Sequence, residues 1–158
     1  MSSSKPRDEA PSAPAALRRY LRSGTRSTRE AVEQLRRRGV PPAQASRAVA
    51  ECQRRGLLDD RACAELWADH WARRGYAWSA IRLKLSEKGL DAHAIAHAAS
   101  RLGTASSDDE RARRIVTQHL RPGEGRRQQA RLGRMLASRG FDQDLIERVL
   151  SEYDFTDS

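Results

Sequence analysis

His93 and His97 stand four residues apart, the spacing at which one helix can offer two imidazoles to a single metal ion. No H-E-x-x-H surrounds them and no third ligand accompanies them, so they are read as surface histidines. Cys52 and Cys63 match no C-x-x-C pattern and build no disulfide framework. Cys63 reads as a small core residue, and Cys52 lies on a helix without the basic partner that marks a reactive thiol. Asp59-Asp60 and Asp108-Asp109 are pairs of carboxylates that a metal could use. Both fall at equivalent helix starts, where negative charge complements the dipole, and they are read as caps. Neither G-x-x-x-x-G-K-[ST] nor G-x-S-x-G occurs. The residues point to no catalytic centre, no metal and no cofactor.

What remains is binding chemistry. The chain of 158 residues carries a formal charge of +9, and its basic surplus lies in the first third. Residues 1–58 hold thirteen Lys/Arg against five Asp/Glu, residues 59–104 seven against six, and residues 105–158 ten against ten. Such an excess favours polyanions or acidic protein surfaces. Only Lys5, Lys84 and Lys88 are lysines. Arginine's fork suits phosphate and carboxylate, although a GC-rich coding bias produces the same skew. Arg82, Lys84 and Lys88 precede the central glycine turn and Arg73-Arg74 end the preceding helix, a denser basic patch than a helix terminus needs. Arg126, Arg127 and Arg131, with Arg134, give a later helix a comparable face, whereas Arg36-Arg37-Arg38 reads equally as a solvated helix end. Trp67, Trp71, Tyr76 and Trp78 offer rings on which bases could stack. The i, i+4 spacing of Trp67 and Trp71, with Leu66 and Leu85 nearby, favours a core role instead.

The elements that carry these residues follow from a repeated turn. Lys88-Gly89-Leu90-Asp91 reads as a helix end closed by glycine, then a capping aspartate, with Ile95 positioned to staple onto Leu90. Arg38-Gly39-Val40-Pro41-Pro42 and Arg139-Gly140-Phe141-Asp142 repeat the grammar, the three glycines lying 50 and 51 residues apart. Ser27-Thr28-Arg29-Glu30 is a capping box, and Pro42 suits a first helical position. The helix after Asp59-Asp60 is expected to turn Ala62, Leu66 and Trp67 inward, and Gly103 to Ser107 to form a linker. No stretch alternates as a strand would, so the fold class is all-α. Three tandem three-helix repeats are expected over residues 14–55, 59–102 and 108–151, between a disordered segment 1–13 and a loosely held acidic tail 152–158. Tandem units of this kind touch mainly their neighbours, which predicts an elongated, curved body with a long concave face. No apolar run reaches the roughly 20 residues of a membrane span, and the N-terminus lacks a secretion signal; a soluble, cytoplasmic monomer is expected.

Gly56-Leu57-Leu58-Asp59-Asp60, Ala64, Arg74-Gly75 and Ile81-Arg82-x-Lys84-Leu85-x-x-Lys88-Gly89-Leu90 together resemble the RecX regulatory-protein family. The resemblance runs over roughly residues 14–151 and includes the closing Arg139-Gly140-Phe141-Asp142 with Ile146 and Val149. It departs at Cys63, where the family usually has a bulky aromatic, and at Trp78-Ser79-Ala80, which replaces a more basic lead into Ile81. The resemblance implies tandem three-helix repeats, no enzymatic activity, and a role in DNA repair, recombination and the SOS response through the RecA recombinase. Family members bind in the groove of the RecA–single-stranded-DNA filament and limit its growth, ATP hydrolysis and strand exchange. On this reading Arg73, Arg74, Arg82, Lys84 and Lys88, then Arg126, Arg127 and Arg131, face acidic protein surface or DNA phosphate. Two alternatives stay open. One is a helix-turn-helix protein that binds single- or double-stranded DNA directly, and the other a non-catalytic structural adaptor.

Overall fold

A computed structural model describes residues 12–123 and 125–156. Among the described residues there are nine α-helices and no strand. Contacts divide the chain into two compact units, Met1–Asp60 and Arg61–Ser158.

The first unit holds α1 (Ala13–Arg22), α2 (Thr28–Arg37) and α3 (Pro42–Arg54). Its capping box is closed in both directions. Glu30 N–H donates to Ser27 Oγ at 3.1 Å, and Ser27 N–H donates to Glu30 Oε2 at 2.8 Å. Pro42 is the first residue of α3, where its missing N–H costs no hydrogen bond. Leu17, Ala31, Leu35, Val49, Cys52 and Leu58 form the core.

The second unit holds α4 (Asp60–Arg73, whose first residue closes unit 1), α5 (Trp78–Glu87), α6 (Ala92–Ala105), α7 (Asp108–His119), α8 (Gly125–Ser138) and α9 (Gln143–Leu150). Two cores build it. One gathers Cys63, Ala64, Ala68, Ala72, Ile81, Leu85, Leu90 and Leu102, and the other Ile115, Val116, Leu132, Leu136, Phe141, Ile146 and Val149. Ala77, in the turn between α4 and α5, belongs to the second of these cores.

The glycine turns close their helices as the sequence predicts. Gly39, Gly89 and Gly140 take φ of 75°, 85° and 89°. The following N–H groups of Val40, Leu90 and Phe141 return to the carbonyls of Leu35, Leu85 and Leu136 at 3.1, 3.2 and 3.3 Å. Asp91 and Asp142 then cap α6 and α9, accepting from Ala94 and Leu145 N–H at 2.8 Å.

Several expectations change. On α4 the buried residues are Cys63, Ala64, Ala68 and Ala72, while Ala62 and Leu66 are exposed. Small side chains let this helix pack closely, so the large ones are displaced to its flanks. The expected Gly103–Ser107 linker is largely helix, because α6 runs on to Ala105. Ser107 then caps α7 in a second capping box with Glu110, leaving two residues between the helices. Asp60 and Asp108 do more than stand at their own helix starts. Their Oδ1 atoms accept from Thr28 N–H at 2.8 Å and Trp78 N–H at 2.9 Å, the first residues of α2 and α5. The segment after α9 is docked rather than loose. Glu152 receives two 2.8 Å hydrogen bonds from Arg113, and Tyr153 and Phe155 pack against the neighbouring core. The disorder expected for the N-terminal segment falls outside the described residues up to Pro11, and Ala13 already opens α1.

Candidate interaction site

Trp67 and Trp71 share a face of α4, and Lys84 of α5 shares a face with Lys88, the helical C-cap of α5, because residues four apart lie one turn above another. The tight turn between these helices brings the two pairs together. Lys84 Nζ lies 4.3 Å from the Trp71 ring centroid and 4.9 Å from that of Tyr76. Lys88 Nζ lies 4.2 Å from the Trp67 ring, and the Arg74 guanidinium 5.6 Å from Trp71. The two indoles are nearly parallel, at 28° with centroids 6.5 Å apart, and Tyr76 meets Trp71 edge-on at 5.3 Å. The rings are half-buried and pack partly on the core, with cations over their exposed sides. The packing supports the core role expected for the tryptophans. Each ammonium is held at a fixed position by about 0.5–2 kcal/mol of cation–π attraction. A lysine fixed in this way loses less side-chain freedom on meeting an anion than a free one does.

The turn that carries this array is held from the α7–α9 side. Arg114 donates to the Ala72 carbonyl at 3.1 Å, Arg139 to that of Arg74 at 2.8 Å, and Arg111 to that of Tyr76 at 3.1 Å. Arg114 thus meets a last-turn carbonyl of α4, where positive charge complements the helix dipole, and Arg139 and Arg111 hold carbonyls of the turn that follows. Arg111 is 2% exposed and also bonds the Ser106 carbonyl and hydroxyl and the Asp108 carboxylate. Ala77 N–H donates to the Arg139 carbonyl at 2.9 Å, and Ser79 Oγ to the Gly140 carbonyl at 2.5 Å. Gly75 takes φ of 83°, a left-handed conformation that favours glycine, and a Cβ there would also stand 2.6 Å from Arg139 Nη1. Sequence reading missed Arg111, Arg114 and Arg139 as positioning residues. The pattern Ser107-x-x-Glu110 fixes the start of α7, but nothing local tells which of its arginines turns inward.

The remaining candidate residues divide. Arg82 is exposed and lies apart from the aromatic array, lining an α5–α6 groove with Trp78, Leu83, Ser86 and Ile95. Arg73 is exposed, with Asp69 at 3.8 Å, an i, i+4 surface pair that contributes little to stability. Arg126 and Arg127 are exposed in the first turn of α8, where the dipole disfavours cations, so local helix stability does not account for them. Arg131 is half-buried and donates to the His119 carbonyl at 3.2 Å. His97 meets Glu65 through Nε2 and Arg61 through Nδ1, while His93 is exposed. Desolvation raises the pKa of the buried Cys52 thiol, which disfavours its reactive thiolate.

The family model for the second three-helix domain of RecX matches residues 59–98, and that for the third matches residues 107–150. The chain belongs to the RecX family. It is 34% identical over 152 residues to the regulatory protein RecX of Streptomyces coelicolor, covering 93% of this chain and 80% of that relative. It is 35% identical over 130 residues to the regulatory protein RecX of Pseudomonas fluorescens, covering 81% and 83%. The crystal structure of RecX from Lactobacillus salivarius shares the fold at a TM-score of 0.68 and 21% identity, over 89% of this chain and 93% of that one. The RecX relatives are regulatory proteins by name. Within the RecX domain matched at 59–98 lies the whole array from Trp67 to Lys88.

Proposed function

We propose that this protein is a cytoplasmic modulator of RecA that binds the RecA–single-stranded-DNA filament as a monomer. It limits ATP hydrolysis, filament extension and strand exchange. The α4–α5 array carries the reading: two ammoniums and a guanidinium fixed over three rings form a preorganised cationic surface. Such a surface meets acidic protein groups or phosphate with little loss of side-chain freedom. Arg73 and Arg82 add exposed positive charge elsewhere on α4 and α5, and Arg126 and Arg127 add a second patch that bears on a neighbouring part of the filament. Bridging successive RecA subunits hinders the subunit motion coupled to nucleotide turnover.

Co-sedimentation tests the reading. The protein should pellet with RecA filaments on single-stranded DNA at saltlike physiological strength, and far less with the DNA alone. Selective retention of duplex DNA in a gel shift without RecA would instead favour a direct DNA-binding protein.

A further inference from the structure

The first unit carries a surface that the RecA reading does not use. Arg18, Leu21 and Arg22 follow one another at i, i+3 and i+4 along α1, and with Leu57 they line a cleft of about 290 Å³. Leu57 is 50% exposed although its neighbour Leu58 is 3% exposed. That outward position is set by the backbone. Gly56, at φ 70°, closes α3, and Leu57 N–H returns to the Cys52 carbonyl at 2.9 Å. The floor of the cleft is firm as well, since Leu21 packs against the core that contains Leu17, Cys52 and Leu58.

Of the described residues, two cations and no carboxylate line the cleft. Glu30 is engaged in its capping box, Glu33 lies 4.0 Å from Arg29 and Arg37, and Asp60 accepts from Thr28. Glu51 is held by Arg54 and Arg55, whose hydrogen bonds lower its pKa. Among the described residues, no ion pair joins a carboxylate to Arg18 or Arg22. The cleft therefore offers an apolar floor between two cations, complementary to a segment with an apolar side chain between two anions.

We propose that this cleft binds an acidic amphipathic helix of a partner protein. Its apolar anchor seats on Leu21 and Leu57, and carboxylates one turn apart pair with Arg18 and Arg22. The partner's pattern mirrors that of α1: Glu at i, Leu at i+3 and Glu at i+4, the spacing at which side chains share one helix face. A nucleic-acid backbone satisfies the arginines but buries nothing on the leucines. The cleft's volume stands at the small end of ligand cavities and suits one anchoring side chain rather than a cofactor.

The test uses the full chain and a fluorescein-labelled helical peptide of about 15 residues, long enough to hold a helix, with that Glu/Leu/Glu pattern. Fluorescence anisotropy should show saturable binding, at least tenfold weaker when the peptide's Leu is replaced by Ala. Binding should fall similarly in an Arg18→Ala/Arg22→Ala protein and in Leu57→Ser, with helical content unchanged by circular dichroism. Lys84→Ala/Lys88→Ala should bind the peptide as the parent does. Equal binding of the Leu and Ala peptides, or displacement by oligothymidylate of equal charge as effective as by unlabelled peptide, would reduce the cleft to a general polyanion surface and overturn the proposal. Absence of saturation at millimolar peptide would overturn it too.

Discussion

Lys84 and Lys88 are the residues on which the functional reading turns. Both lie over tryptophan, in a chain whose other Lys/Arg residues apart from Lys5 are arginines. Removing both ammoniums in Lys84→Ala/Lys88→Ala takes away two fixed charges and leaves the indoles on the core. The affinity for RecA filaments should drop about tenfold, equivalent to about 1.4 kcal/mol. The fold should lose only about 1–4 kcal/mol of cation–π attraction, which thermal unfolding measures. The sequence identified these lysines and the aromatic residues separately. Their meeting was not legible, because it depends on how far α5 folds back over α4, and the residues that set that angle lie on α7 and at the α8–α9 turn. Leu66 shows the same limit from the other side: its apolar type suggested burial, yet alanines and Cys63 occupy the buried face.

Charge pairs outside the site give a pH prediction. Hydrogen bonds from Arg148 and Arg113 lower the pKa values of Asp109 and Glu152 below their ordinary 3.8 and 4.5. A carboxylate with a lowered folded pKa stabilises the fold above its unfolded value and loses that contribution as pH falls through the folded one. Glu152→Gln should therefore melt below the parent at pH 6, and the difference should shrink as the pH falls below the unfolded carboxylate range and through the lowered folded pKa. Both pairs are solvent-exposed, so the difference at pH 6 should be small and should shrink with added salt.

At the scale of elements, one turn recurs with different surroundings. Gly39 and Gly140 share the left-handed conformation, but a Cβ at Gly39 meets nothing within 4 Å. At Gly140 it would stand 2.7 Å from Ala80 Cβ and 3.2 Å from the Ala80 backbone nitrogen. Gly39→Ala should cost about 1–2 kcal/mol from backbone strain alone. Gly140→Ala should cost a further 1–3 kcal/mol or so as α5 is pushed from the α8–α9 turn. Chemical denaturation of the two variants measures the difference. Arg111 makes the complementary case. Replacing it with Leu strips the Tyr76 and Ser106 carbonyls and Asp108 of a buried partner and should cost about 3–5 kcal/mol. The helix boundaries were largely legible, since capping boxes and glycine closures are written locally. The exception was α6, where Gly103 and Thr104 read as linker but continue the helix because Ser107 holds the next cap.

At the scale of the whole molecule, the all-helical repeat pattern was legible because its spacing of 50 and 51 residues is written in three glycine turns. The division into Met1–Asp60 and Arg61–Ser158 was not, because α4 to α9 are joined by contacts between residues far apart in sequence, among them the hydrogen bonds from Arg111, Arg114 and Arg139 to the α4–α5 turn. Family membership makes this chain a regulator, and its action on RecA is the central claim. The most direct measurement is single-stranded-DNA-dependent ATP hydrolysis by RecA, with this protein titrated from well below to above stoichiometry. The account predicts dose-dependent loss of hydrolysis by the parent, and a titration shifted about tenfold to higher concentration for Lys84→Ala/Lys88→Ala. Hydrolysis unchanged by the parent protein would contradict the account of function, and equal inhibition by parent and variant would contradict the assignment of the α4–α5 array.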